Sequence, residues 1–283
     1  MEASAPPSAE VTEHDDLVAG LRVFWRAADP PQGVSPTLYV HGVPTNADDW
    51  TPFLERTGGA ALDLPGFGRS EKPGSFDYSI GGYNTFLQAL IGRLGWDRFN
   101  LVVHDWGGLA LVTAQELHER LDRLVIVNAV PLLPGYRWHR IARVWRTPIA
   151  GELMMGLTTK TAAKFLSKES RPNRAPWPDD MLDSVWDHFD HGTQRAILRL
   201  YRSAPPQELE EAGMRFAQVT APTLVLWGDQ DPYIPTEFAR KYEETLPNAR
   251  LELLEDAGHW PWIDRPDCVD TIAGFLLGRD QAS

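Results

Sequence analysis

The chain has 283 residues, 43% of them hydrophobic, enough for one large domain or a core carrying an inserted lobe. Its formal net charge of −12 weighs against nucleic acid or an anionic membrane surface as partner, since both would repel it. Cys268 is the lone cysteine, which excludes an intrachain disulfide framework and fits a reducing compartment.

The N-terminal run MEASAPPSAEVTEHDD lacks the basic start and apolar stretch of a signal peptide, and its Pro, Ser and acidic content predicts a flexible tail over residues 1–16. No stretch approaches the roughly 20 apolar residues needed to cross a bilayer. A cytoplasmic location is the resulting expectation.

Short apolar runs then recur: TLYVHG (37–42), GAALDLPG (59–66), NLVVHD (100–105), LVIVNA (124–129), TLVLWGD (223–229) and RLELLEDAGH (250–259). Most are continuously apolar, the pattern of strands buried on both faces of a parallel sheet. Helical patterns over 79–94, 107–118 and 236–246 separate several of them, which predicts βα units and a mostly parallel α/β sheet flanked by helices. Between about Pro131 and Met214 the alternation fails, and the chain becomes rich in Trp, Arg and Pro with helix-like runs such as DDMLDSVWDHF. This segment reads as an inserted helical cap. The expected organisation is a tail (1–16), a first part of the core (17–130), the cap (131–214) and a second part of the core (215–283).

In open parallel sheets, ligands bind at the carboxyl ends of the strands. The third strand ends in His41-Gly42-Val43-Pro44, the fifth in His104-Asp105-Trp106-Gly107-Gly108, the seventh in Gly228-Asp229-Gln230-Asp231 and the eighth in Gly258-His259. Asp105 followed by Trp106-Gly107-Gly108 fits a strand-to-helix elbow that exposes a nucleophile, although Val103 stands where such elbows usually carry glycine. The plainer role for Asp105 is a helix N-cap. His259 lies in a shaped loop, DAGHWPW, and Asp229 and Asp231 compete as the acid that orients it. Asn128, at the end of the sixth strand, cannot supply the charge that stabilises an imidazolium. His41 and His104 are expected to organise their turns. Asp48 and Asp49 have no His or Cys at ligand spacing, so no metal site is expected and helix N-capping explains them better.

HGVP, DLPGFGRSEKP, HDWGG, WGDQDPYIP and DAGHWPWIDRP, in this order, resemble the α/β-hydrolase superfamily over the chain from about residue 17 onward. An aspartate at the elbow resembles the epoxide hydrolase and haloalkane dehalogenase branch. The resemblance implies Asp105 as nucleophile, His259 as general base and Asp231 as the acid, with Asp229 left as a turn residue. A carboxylate is ionised at neutral pH and can displace a leaving group at saturated carbon, forming an alkyl ester that His259-activated water hydrolyses. Backbone N–H groups of Val43 and Trp106 are the expected oxyanion hole, a contribution of about 3–4 kcal/mol. Tyr201, in LYRSAP, resembles the proton-donating cap tyrosine of epoxide hydrolases. A second tyrosine is absent from IAGELMMG, and Tyr136 lies somewhat earlier.

His41, Pro44, Trp106, Tyr136, Trp138 and Trp260 are the expected pocket residues, for a small apolar substrate and water without a cofactor. Opening an epoxide to a diol is the leading expectation. A haloalkane dehalogenase, with indole donors from Trp106 and from Trp138 or Trp145, is the alternative, weakened by the apolar Val43. A non-catalytic hydrolase-fold binding protein is the third reading.

Overall fold

A computed structural model describes residues 9–279. Eight strands form one sheet: β1 (Thr12–Val18), β2 (Leu21–Ala28), β3 (Thr37–Val40), β4 (Gly59–Leu62), β5 (Phe99–Asp105), β6 (Leu121–Ala129), β7 (Thr223–Gly228) and β8 (Ala249–Leu254). Their spatial order is β1-β2-β4-β3-β5-β6-β7-β8. The first two strands are antiparallel to their neighbours, and the pairings from β4 through β8 are parallel.

The continuous apolar runs have the cause expected for a doubly covered sheet. Along β5 and β6, Leu101, Val103, Leu124 and Ile126 face one core while Val102, Val125 and Val127 face the other. Helices α1 (Thr51–Thr57), α2 (Ile80–Leu94) and α3 (Leu111–Glu116) connect the early strands. Helix α2 is bounded by an N-cap at Ser79, whose hydroxyl accepts from the Gly82 N–H, and by left-handed Gly95.

Between β6 and β7 lie six further helices: α4 (Arg140–Arg146), α5 (Ala150–Leu157), α6 (Lys160–Ser167), α7 (Asp179–Asp187), α8 (His191–Ser203) and α9 (Pro206–Ala212). The chain closes with α10 (Glu237–Thr245), α11 (Pro261–Asp264) and α12 (Cys268–Leu276). Helix α12 packs with α1 over one face of the sheet, whereas α2 and α10 bury Phe86, Leu87, Phe238 and Tyr242 against the other. The inserted helices are tied to the core by an Arg171–Asp264 ion pair at 2.8 Å, a Lys72–Asp190 pair and a hydrogen bond from Asn46 to Ser184.

Several expectations need correction. The segment expected to be a tail contributes β1 from Thr12 onward, and residues 1–8 lie outside the described residues. Strand β1 is polar because it is an exposed edge, which hides it from hydrophobic patterning. The helix expected over 107–118 starts as a 3₁₀ turn, Trp106–Ala110, because the elbow backbone must first turn sharply away from β5. Neither Asp48 nor Asp49 caps the turn Ala47–Trp50. Asn46 does, accepting from the Asp48 N–H, while Asp48 pairs with Arg26 and Arg69.

Candidate active site

Asp105 terminates β5 with φ 47° and ψ −121°, a backbone conformation that costs free energy in a non-glycine residue. The packing around it compels this turn. A Cβ on Gly42 would lie 2.4 Å from the Asp105 Cβ, and one on Gly107 would lie 2.1 Å from the Val40 carbonyl oxygen. Glycine at both positions lets the loop after β3 close directly over the carboxylate. The Val43 N–H then donates to Asp105 Oδ2 at 2.8 Å.

His259 follows β8 and is buried. Its Nδ1 donates to Asp231 Oδ2 at 2.7 Å, and its Nε2 stands 3.6 Å from Asp105 Oδ1. The Asp231 side chain is fully buried, and its Oδ1 accepts from the Tyr233 and Ile234 N–H groups. Asp229, by contrast, is an exposed turn residue whose N–H goes to the Leu254 carbonyl.

Asn128 has a larger part than its sequence position suggests. Its amide donates to Asp231 Oδ2 at 2.7 Å and its carbonyl accepts from the Gly228 N–H at 3.0 Å, clamping the end of β7 and the acid together. Positive φ at Asn128, 39°, turns the chain at the end of β6 to make this reach. Asparagine tolerates that region better than most residues.

The electrostatics are those of a charged trio. Burial opposes ionisation of Asp105, but the hydrogen bond and charge of His259, with a smaller effect from the Val43 N–H, hold its carboxyl below the ordinary carboxylate range. Burial likewise disfavours a charged His259 ring. The adjacent Asp231 carboxylate and the Asp105 hydrogen bond and charge outweigh it, raising His259 to about 10.

Two other histidines are neutral supports. His104 is pushed down to about 3, by burial first and by the charge of His259 second, and its Nε2 donates to the His259 carbonyl at 2.8 Å. His41 donates from Nδ1 to the Gly42 carbonyl and accepts at Nε2 from the Leu64 N–H, with burial lowering its pKa.

A cavity of about 130 Å3 opens above Asp105 and His259, walled by aromatic and aliphatic side chains of the inserted helices. Val43, Pro44, Tyr136, Trp138, Tyr201 and Trp260 line it, as expected for pocket residues or beside them. His41 does not, because both of its ring nitrogens are spent on the turn beneath. Trp106 does not line it either: its indole lies beneath, stacked on Trp138 with ring centroids 5.1 Å apart and meeting the Tyr201 ring edge-on at 5.0 Å.

The Trp138 indole N–H is occupied by the Ala204 carbonyl at 3.0 Å. The Tyr136 hydroxyl and the Trp145 indole nitrogen, in contrast, are buried without a hydrogen-bond partner among the protein groups, and the Trp106 indole is directed to Tyr201. Burial raises both Tyr136 and Tyr201 well above the ordinary phenol value, and the Asp105 charge adds to it. Among the described residues no group of three His, Cys, Asp or Glu side chains is placed to hold a metal ion.

This order of strands, a sharp elbow at β5 and a His–acid pair at the ends of β8 and β7, agrees with a family-model match over residues 36–266, described as alpha/beta hydrolase fold. The chain belongs to the α/β-hydrolase fold family.

Within the family, this α/β-hydrolase is 26% identical to mouse epoxide hydrolase 4, over 93% of this chain and 78% of that one. Its fold superposes on the crystal structure of haloalkane dehalogenase DbeA from Bradyrhizobium elkani USDA94 with a TM-score of 0.82 at 24% identity, covering 97% and 100% of the two chains. Epoxide hydrolase CorEH without ligand gives a TM-score of 0.80 at 21% identity, covering 96% and 100%.

Tyr233 carries no site signal of its own in the sequence, and His139 stands there only as a weak candidate among several lone histidines. Both line the cavity, and the Tyr233 ring meets the His259 ring perpendicularly at 5.1 Å. Tyr233 lies two residues after Asp231, so the acid's own motif pointed towards it. His139 caps α4 through Nδ1, a local signal that hydrophobic patterning does not detect.

Proposed function

We propose that this α/β-hydrolase opens an apolar epoxide to a diol through an aspartyl alkyl-ester. The observation that carries the reading is the placement of two phenols, Tyr136 and Tyr201, in one apolar cavity with the Asp105 carboxylate. An epoxide needs a carboxylate on its carbon and a hydrogen-bond donor on its oxygen, and this cavity offers both.

In the first step Asp105 Oδ1 attacks an epoxide carbon while Oδ2 stays on the Val43 N–H. The C–O bond breaks, and the developing alkoxide takes a hydrogen bond and then a proton from Tyr201 or Tyr136. A phenol whose pKa is raised by burial still holds its proton less tightly than an aliphatic alcohol does. Esterification removes the Asp105 charge and lowers the His259 pKa, so the imidazolium gives up its proton, which restores the phenol, and the neutral ring is free to act as a base. Water, deprotonated at His259 Nε2, adds to the ester carbonyl, and the Val43 and Trp106 N–H groups hold the oxyanion. Collapse expels the diol oxygen, which takes its proton from the imidazolium, and leaves Asp105 as the carboxylic acid; that proton then passes to the His259 ring, restoring the carboxylate–imidazolium pair.

The second reading is dehalogenation. The indole nitrogen of Trp145, with no hydrogen-bond partner among the protein groups, favours it, because a leaving halide needs such a donor. Against it stand the occupied Trp138 N–H, the apolar side chain of Val43 and the position of Trp106 beneath the cavity lining.

Offering the purified protein styrene-type epoxides and short haloalkanes in parallel, and measuring diol and halide, separates the two. Diol from the epoxides is expected. Halide release without diol would transfer the assignment to dehalogenation. His259→Gln should accumulate an alkyl-enzyme whose added mass maps to Asp105, and an adduct on any other residue refutes the proposed nucleophile.

A further inference from the structure

Six large apolar side chains stand exposed among the described residues, and four of them are Ile149, Leu153, Leu157 and Phe165. Leu153 and Leu157, four apart on α5, share one face and are 60% and 78% exposed, and Ile149, which immediately precedes the helix, is 74% exposed. The helix is pressed against its neighbours on the opposite side. A Cβ on Gly151 would lie 2.7 Å from the Trp145 carbonyl oxygen and 2.9 Å from a Leu198 methyl, and Met155 is buried. The outer residues therefore have no inward alternative. Met154, Met155 and Thr158, with Ala163 and Leu166 of α6, form part of the cavity wall above Asp105. One layer of two short helices separates the apolar outer face from the site.

The charge of the inserted segment runs against that of the whole chain. Residues 131–214 hold 12 Lys and Arg against 10 Asp and Glu, whereas the whole chain holds 27 against 39. The negative excess belongs to the α/β core, and the inserted segment is positive. Part of the segment's charge is paired internally, as Lys160–Asp183, Lys164–Asp179, Arg140–Glu169 and Arg202–Glu152. Among the described residues the exposed Arg137, Arg143, Lys168 and Arg174 have no carboxylate partner, against Asp180 and Asp187 of opposite sign. Lys168 in addition lies over the exposed Phe165 ring.

We propose that the outer face of α5, together with Phe165 of α6, docks on an anionic lipid surface, from which apolar substrates reach the cavity directly. Exposed apolar side chains on a segment with a basic excess are the pattern of a surface that lies in the bilayer interface plane. Charges beyond about 8–10 Å are screened at physiological salt, so the sign of the contacting face outweighs the net −12 of the chain. Self-association through the same leucines would bring two positive faces together, which favours lipid over a second copy. The proposal does not depend on which bond the site cleaves.

The test is co-sedimentation of the full chain with vesicles of phosphatidylcholine alone and of phosphatidylcholine mixed with phosphatidylglycerol, at low and physiological ionic strength. Binding is expected to the mixed vesicles and to weaken with salt. A Leu153→Ser/Leu157→Ser variant should lose at least about tenfold in partitioning with an unchanged melting temperature. Arg143→Glu with Lys168→Glu should abolish the preference for anionic vesicles. Failure of the wild-type chain to bind, equal binding to both vesicles, or full binding by the leucine variant overturns the proposal. So does light scattering that finds a dimer which the leucine substitutions dissolve, since the face would then belong to a second copy.

Discussion

At the carboxyl edge of the sheet, the polar atoms that matter are spoken for: Asp105 by the Val43 N–H, His259 by Asp231, and Asp231 by Asn128 and two backbone N–H groups. On the elements facing them across the cavity, the Tyr136 hydroxyl and the Trp145 indole nitrogen are buried with nothing to donate to. The two regions are solved differently. A saturated hydrogen-bond network holds charge in one geometry before any substrate arrives, which lowers the reorganisation needed during reaction. Donors that no protein group takes up are left to meet an acceptor that a ligand brings. The core edge is thus suited to holding fixed charge and the inserted helices to recognition of a ligand.

The sharpest way to break this comparison is to remove the proposed nucleophile. Asp105→Ala should lower turnover by at least about 10⁴-fold with the fold intact, and retention of more than about 1% of activity would place the chemistry elsewhere. Next in size are the phenols. Tyr136→Phe and Tyr201→Phe should each slow epoxide opening by about 10–100-fold, as read by single-turnover rates. Haloalkane turnover, if any exists, should not change. Because the Tyr136 hydroxyl is partnerless, its removal should cost no stability, so its melting temperature should match or slightly exceed the wild-type value.

The smallest effect concerns an exception within the well-satisfied region. Burial, with the nearby Asp48 and Asp63 charges, raises the Asp49 carboxyl to about 7 against the opposing hydrogen bonds of Thr45 and Trp260. The folded state then holds a proton that the unfolded chain, with an ordinary value of 3.8, releases. Its contribution to stability is present below that value and is lost as pH rises through about 7. Asp49→Asn should therefore melt about 2–4 °C above wild type at pH 8, with the advantage fading towards pH 4. An advantage that does not vary with pH would show that Asp49 does not titrate in this range.

Much of the fold and part of the candidate site were legible because they obey local rules. Continuous apolar runs mark strands buried on both faces, and Gly-flanked Asp105 marks a turn that only small neighbours permit. Asp105, Asp231 and His259 come together at the strand ends where the motifs put them. What escaped was whatever broke those rules. Strand β1 is polar because it lies at an edge, and Asn128 looked like an absent acid when it is a clamp on the acid that is present. His41 and Trp106 sit next to pocket residues in the chain, yet their side chains turn beneath the cavity floor.

The order and spacing of residues determined by themselves which strands are buried, where the chain must turn sharply and which side chains stand at the strand ends. Those outcomes follow from backbone sterics and side-chain periodicity within a few residues. Only the tertiary structure decided that Tyr136 faces Asp105, that the Trp138 N–H is spent on Ala204, and that the apolar face of α5 is left outside. Each of these depends on how helices far apart in the chain settle against the sheet, and packing of that kind has no local signature.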